Sequence, residues 1–516
     1  MTTALITVPK VGPILDIHLP DQANLIDRHV FTKLRELGIP LSRECTDDEF
    51  ARRSSLDICG RLPDSADVAA FRSSQASDKR SRWVDQLLAL PEYADYFALK
   101  WGTILRNKRT LGALSQPGTF AFHSWIRQAI AENLPYHEFV KRLLMAQGDA
   151  AQNPAVIWYR RYKTPEEVAD DFGQLFLGLR LQCARCHHHP TDRWSTADYY
   201  GYASFFARIG RKPSADPTTP RLFVLPDGSS IDPSTGLAHQ PRLLGTPESV
   251  PALRDQDPRR ELADWLGKPE NPYFARAVVN RYWKHFFGRG LVEPEDDFRK
   301  SQPPSHPELL DDLAADFVQH NYDLKRLVRT ITTSRTYDRS SLPEPSNRFD
   351  RRYFARYYSR QLSAEVLMDA IAKVTEHSER FEGMPPGLRA VQLPDDGISS
   401  EFLDTFGRPK RETVCECERA SEPNLNQGLL LLGSVDLQRT LAAPGGRAQR
   451  WLQDPRDDRL KVEELYEIAL GRRPLPEELS KCLDHLHRRQ GVGKRVEGYE
   501  DLLWAIINTK EFLFNH

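Results

Sequence analysis

Apolar positions recur at helical spacing along most of the chain, and strand-like alternation is confined to short stretches. Residues 21–37 form an amphipathic pattern. Residues 47–55 follow a Thr46 cap, and Gly60-Arg61-Leu62-Pro63 breaks the chain before a helix over 65–71. Residues 78–90 carry Trp83, Leu87 and Leu88, and 93–101 are rich in aromatics. Residues 119–147 read as two helices divided by Asn133-Leu134-Pro135. After a Pro/Gly/Ser/Thr-rich stretch, helices resume after Asp257-Pro258, over 273–287 ending at Gly288, from a Ser305-His306-Pro307-Glu308 capping box through Phe317, and over 324–333. Arg221-Leu222-Phe223-Val224-Leu225 before Pro226-Asp227-Gly228 predicts a strand and turn. The expected fold is mainly α and multi-helical, in two domains with a small β-hairpin insertion, with little strand outside 220–235 and 389–419. The expected boundaries are 1–210, a connection at 211–257, and 258–516.

One stretch concentrates chemistry: Gln182-Cys183-Ala184-Arg185-Cys186-His187-His188-His189-Pro190. It is preceded by Thr164-Pro165-Glu166-Glu167, a capped helix start with proline at its first position. The helix's apolar face is Val168, Phe172, Leu175, Phe176 and Leu179. Continuing that period reaches Cys183 and Cys186, which predicts that both thiols face inward. Pro190 stops the helix, and Ser195 with Asp198 opens another whose Tyr199, Tyr200, Tyr202, Phe205 and Phe206 form an aromatic wall.

Cys-x-x-Cys-His is the attachment signature of haem c, with Cys183 and Cys186 bonding the vinyl groups and His187 ligating iron. The same soft donors suit zinc or iron, with His187, His189 or the second pair, Cys415 and Cys417, completing a tetrahedral site. In an extended Thr413-Val414-Cys415-Glu416-Cys417 segment those two thiols point to one side. The seven cysteines are too few for a disulfide scaffold in 516 residues, and Cys45, Cys59 and Cys482 read as core. His285, His306 and His320 read as surface or capping histidines.

A net charge of −1, from 71 basic and 72 acidic residues, excludes a general nucleic-acid binder and a polybasic membrane surface. No apolar run reaches the length of a membrane span, and residues 1–19 carry no signal-peptide pattern. There is no nucleophile elbow, His-Glu-x-x-His helix or phosphate-binding loop, so no enzymatic class is assigned.

Residues from about 26 to 209 resemble the planctomycete cytochrome-type DUF1549 domain. The resemblance rests on Ile26-Asp27-Arg28, Ser55-Leu56-Asp57, Gly60-Arg61-Leu62-Pro63, Leu181-Gln182-Cys183-Ala184-Arg185-Cys186-His187 and Asp198-Tyr199-Tyr200. Residues from about 259 to 514 resemble its companion, DUF1553, through Asn271-Pro272-Tyr273-Phe274-Ala275-Arg276, Asn280-Arg281, Phe287-Gly288-Arg289-Gly290-Leu291-Val292, Pro304-Ser305-His306-Pro307-Glu308 and Thr333-Ser334-Arg335-Thr336-Tyr337. The resemblance implies an exported protein, often associated with an additional cytochrome-like domain. Together with the Cys183-x-x-Cys186-His187 signature it points to a haem protein, whose expected role is electron transfer with a redox protein partner. His188 stands where many relatives have Asp. The resemblance brings no settled activity, and without the export pattern a cytoplasmic site is the alternative. The competing expectation is a helical scaffold stapled by a metal across Cys183, Cys186, Cys415 and Cys417.

Overall fold

The computed structural model describes residues 23–516 except 252, 255, 415–417, 420–422 and 490. Helices dominate it, and strands occur among the described residues only as three two-stranded sheets. The first helix is Leu25–Leu37 rather than beginning at residue 21, because the Asn24 side chain accepts from the amides of Ile26 and Asp27 at 2.9 and 3.2 Å and so fixes the start. Asp47–Cys59 begins at the expected Thr46 cap and ends on Gly60, whose φ of 61° lies in the left-handed region. The two helices expected within 119–147 are Gln116–Ala131 and Tyr136–Leu144, parted at Asn133 with φ of 49°.

The hairpin pairs Ile209–Lys212 with Arg221–Val224, with Ile209 opposite Val224 and Lys212 opposite Arg221. No strand forms among the described residues of 389–419. Ala390–Gln392 is a 3-10 turn, because the amides of Ala390 and Val391 bond the Asp369 carboxylate instead of a ladder, and Glu401–Thr405 is a short helix capped by the Ser400 hydroxyl. The Ser305 box also shifts: the cap of Pro307–Gln319 is His306, and no side chain bonds the first amides.

The two halves share one hydrophobic core, running from Ile26 to Phe512. Phe97 stacks on Tyr282 with centroids 5.4 Å apart, and Tyr136 on Phe274 at 4.9 Å. The C-terminus returns to the start of the chain: Phe514–Asn515 pairs with Arg360–Gln361, while Arg52 donates to the carbonyls of Phe512 and Phe514, each at 3.0 Å. Buried Asp57 lies at this seam. It accepts from the hydroxyls of Tyr337 and Tyr357 at 2.7 and 3.0 Å and from Asn515 at 2.7 Å, and it pairs with Arg360. Asp27 makes a second seam contact, accepting from the amides of Arg335 and Thr336 and from the Thr336 hydroxyl at 2.8–3.0 Å.

Candidate functional site at the cysteine and histidine turn

The approach to the cysteines starts as the pattern predicts. Pro165–Phe172 is α-helical behind a Thr164–Glu167 capping box. The period then changes, because Gly173–Leu177 is a π turn and Gly178, with φ of 66°, ends the helix. A Cβ at Gly178 would come within 3 Å of the Phe298 ring, so only glycine admits that close packing. The chain therefore leaves the helix before the cysteines, and continuing the helical count to them fails.

Beyond Gly178 the chain forms a short 3-10 turn, Gln182–Arg185, in which Leu181 and Ala184 take the buried positions. Cys183 and Cys186, expected to face inward, are both exposed. The Arg185 carbonyl, between them, accepts from the Tyr200 hydroxyl at 3.1 Å, which ties the turn to the next helix. That helix, Thr196–Ala203, has the expected Ser195–Asp198 box, and the five aromatics expected from its sequence are buried as a wall behind the turn. Beside them, burial pushes the Asp170 carboxyl up to about 6, against the lowering effect of Tyr199 and Arg185.

The three histidines differ. His187 is exposed, and its Nδ1 lies 2.8 Å from the His188 carbonyl oxygen. A carbonyl only accepts, so Nδ1 carries the proton and the neutral ring keeps its lone pair on Nε2. A backbone carbonyl that fixes the tautomer in this way is a usual companion of a ligating imidazole. His188 is exposed. His189 is buried, its Nδ1 accepts from the Thr191 amide at 3.3 Å, and its own amide donates to the Trp194 carbonyl at 2.8 Å. His189 thus holds the loop closed with its Nδ1 lone pair already engaged.

The other described thiols contrast with this pair. Burial raises the Cys45 thiol and pushes Cys59 up to about 12, and Cys482 is half-buried. Cys415 and Cys417 lie outside the described residues. Among the described residues, no three His, Cys, Asp or Glu side chains converge as a metal site. His306 and His320 stand at the two caps of Pro307–Gln319, as expected, although His306 is buried there, and His285, expected at the surface or at a cap, is buried. His285 bonds the Asp57 carbonyl at 2.8 Å, and burial takes His306 down to about 3. Nothing in the local sequence signals either burial, because His285 packs on Tyr96 and Phe97 of the first half and His306 on Tyr353 and Phe354, all distant in sequence.

No sequence pattern announces the groove of about 510 Å³ that lies beside the turn. Asp192, Arg193 and Trp194 from the first half face Tyr273, Phe298 and Lys300 from the second across it.

Residues 25–211 match the family model PSCyt2, described as a protein of unknown function (DUF1549), and residues 258–486 match PSD1, a protein of unknown function (DUF1553). The chain carries a DUF1549 region followed by a DUF1553 region. No curated protein and no solved structure matches it. Several motifs that mark the DUF1549 and DUF1553 regions are structural: Asp27 and Asp57 meet Thr336 and Tyr337 across the seam. Asn280 likewise bonds Val292 twice, through its amide donor and acceptor, each at 2.9 Å. In the Cys-x-x-Cys-His turn, by contrast, Cys183, Cys186 and His187 are all exposed. No described helix is long and apolar enough to cross a membrane.

Proposed function

We propose that this protein carries a covalently attached haem c on the Cys183-x-x-Cys186-His187 turn, and that its role is electron transfer to or from a redox protein partner. The observation that carries this reading is the His187 geometry. Its Nδ1 proton is given to a backbone carbonyl and its Nε2 lone pair is left available, on the same exposed turn as two exposed thiols. The donor chemistry fits the group. Each thiol would add across one vinyl double bond, sulfur to one carbon and its proton to the other, with no net oxidation. His187 would supply a nitrogen ligand to the iron. The bound group would supply one-electron chemistry. His189, Leu181 and Ala184 hold the turn from the protein side, so the ligand positions are set by the fold. Among the described residues, neither thiol lines the groove beside the turn, so a group held here would lie at the surface, open to a partner. Export belongs to the same proposal, because covalent haem attachment takes place outside the cytoplasm.

The test is expression with an export signal in cells that mature c-type cytochromes, with an absorbance scan and a haem stain on a denaturing gel. A Soret band and a stain that survives denaturation are expected, and both should be lost in Cys183→Ser/Cys186→Ser. A colourless protein with one zinc or iron per chain would replace haem by the structural metal reading.

A further inference from the structure

We propose that the groove between the DUF1549 and DUF1553 regions binds an organic oxyanion carried on a flat apolar body. Its walls are the Trp194, Tyr273 and Phe298 rings and Leu310, and Trp194 and Tyr273 stand edge to face with centroids 6.1 Å apart. Aromatic faces of this kind take a flat apolar ligand without needing hydrogen bonds from it. About 510 Å³ falls within the range of small-molecule sites, roughly 300–1,000 Å³.

Charge selects the sign of the ligand. Arg276 and Arg299 border the groove but are neutralised by Asp311 and Asp297. Arg193 and Lys300 have no carboxylate within ion-pair distance among the described residues, and both border the same space. Arg193 is also held in place: its guanidinium lies 4.7 Å over the Trp194 ring and donates to the Tyr273 hydroxyl. A planar fork fixed in this way suits a carboxylate, sulfonate or phosphate, which it binds through parallel hydrogen bonds. Asp192 is the one acid among the described lining residues, and its Oδ1 already accepts from the Arg193 amide at 2.8 Å. Gln302 Oε1 and Arg299 Nε border the groove as buried polar atoms with no protein partner, further positions for a ligand or its water. Nothing in this site depends on Cys183, Cys186 or a bound haem.

Isothermal titration of the full chain with 2-naphthoate, 2-naphthalenesulfonate and 2-naphthyl phosphate tests the proposal, with 2-naphthylmethylamine as the charge-reversed probe. At least one oxyanion should bind with one-to-one stoichiometry, and which one it is names the acid group. Arg193→Gln/Lys300→Gln should weaken it about tenfold or more at an unchanged melting temperature, while Cys183→Ser/Cys186→Ser leaves it unaltered. Should the double variant unfold, Lys300→Gln at its exposed position carries the test, with a several-fold weakening expected. Failure of all three oxyanions to bind, equal binding of the amine, or an affinity indifferent to both cations would overturn the proposal.

Discussion

Asp57 is 3 % exposed, and its carboxylate meets Tyr337, Tyr357, Arg360 and Asn515, all from the second half of the chain. Removing it takes the carboxylate from the half-buried Arg360 guanidinium, which keeps only the Phe286 carbonyl, and from two buried hydroxyls, so Asp57→Ala is expected to cost about 3 kcal/mol in denaturant unfolding. Asp57→Asn should cost less. Nothing in Ser55-Leu56-Asp57 announces this, because the partners lie 280 residues or more away. The histidines set a pH dependence. Burial lowers His306 to about 3, and His123 and His516 to about 4, from 6.5. Below 6.5 the unfolded chain takes up protons that the folded chain refuses, so these groups remove stability as pH falls toward 3–4. Asp170 and Asp369, raised to about 6 and 7, act in the opposite sense, their contribution being lost as pH rises through those values. Comparing one variant with the parent isolates a single group. His306→Gln should gain on the parent by about 1.4 kcal/mol per pH unit between 6.5 and 3. Parallel stability curves would show that His306 does not titrate in this way.

At the scale of elements, three of the expected caps were legible, while the Ser305 box and the continuation of the helix toward the cysteines were not. Thr46, Thr164 and Ser195 each start a helix as their sequences predict, because a side-chain oxygen satisfies a free amide locally. Thr164→Ala should therefore cost about 1 kcal/mol in denaturant unfolding. The path from Leu179 to Cys186 depends on Gly178 instead, whose left-handed backbone and contact with Phe298 stop the helix from across the seam. Gly178→Ala is expected to cost about 1–2 kcal/mol from the backbone alone. It should also change the rate at which Cys183 and Cys186 react with a thiol reagent, since the turn they occupy begins where that helix stops. A thiol reaction rate equal to the parent's would mean that the turn is set independently of Gly178. The Cys-x-x-Cys-His motif is visible at once in the sequence. Its exposure is not, because helical periodicity carries past the glycine that ends it.

At the scale of the molecule, composition and periodicity are enough for a mainly helical fold with a small hairpin, and the order of the DUF1549 and DUF1553 regions is readable from their motifs. The way the halves interleave is not, since it rests on side chains far apart in sequence, such as Arg53 lying 3.9 Å over the Tyr357 ring. With one core shared from Ile26 to Phe512, the two regions are expected to unfold in a single calorimetric transition, and two separated transitions would show independent cores. Haem attachment at the exposed turn is read most plainly by intact-mass analysis of the exported protein. The expected result is a mass increase of one haem per chain, retained under denaturing conditions and lost in Cys183→Ser/Cys186→Ser. An exported chain of unmodified mass, from cells that attach haem to a control cytochrome, would contradict it.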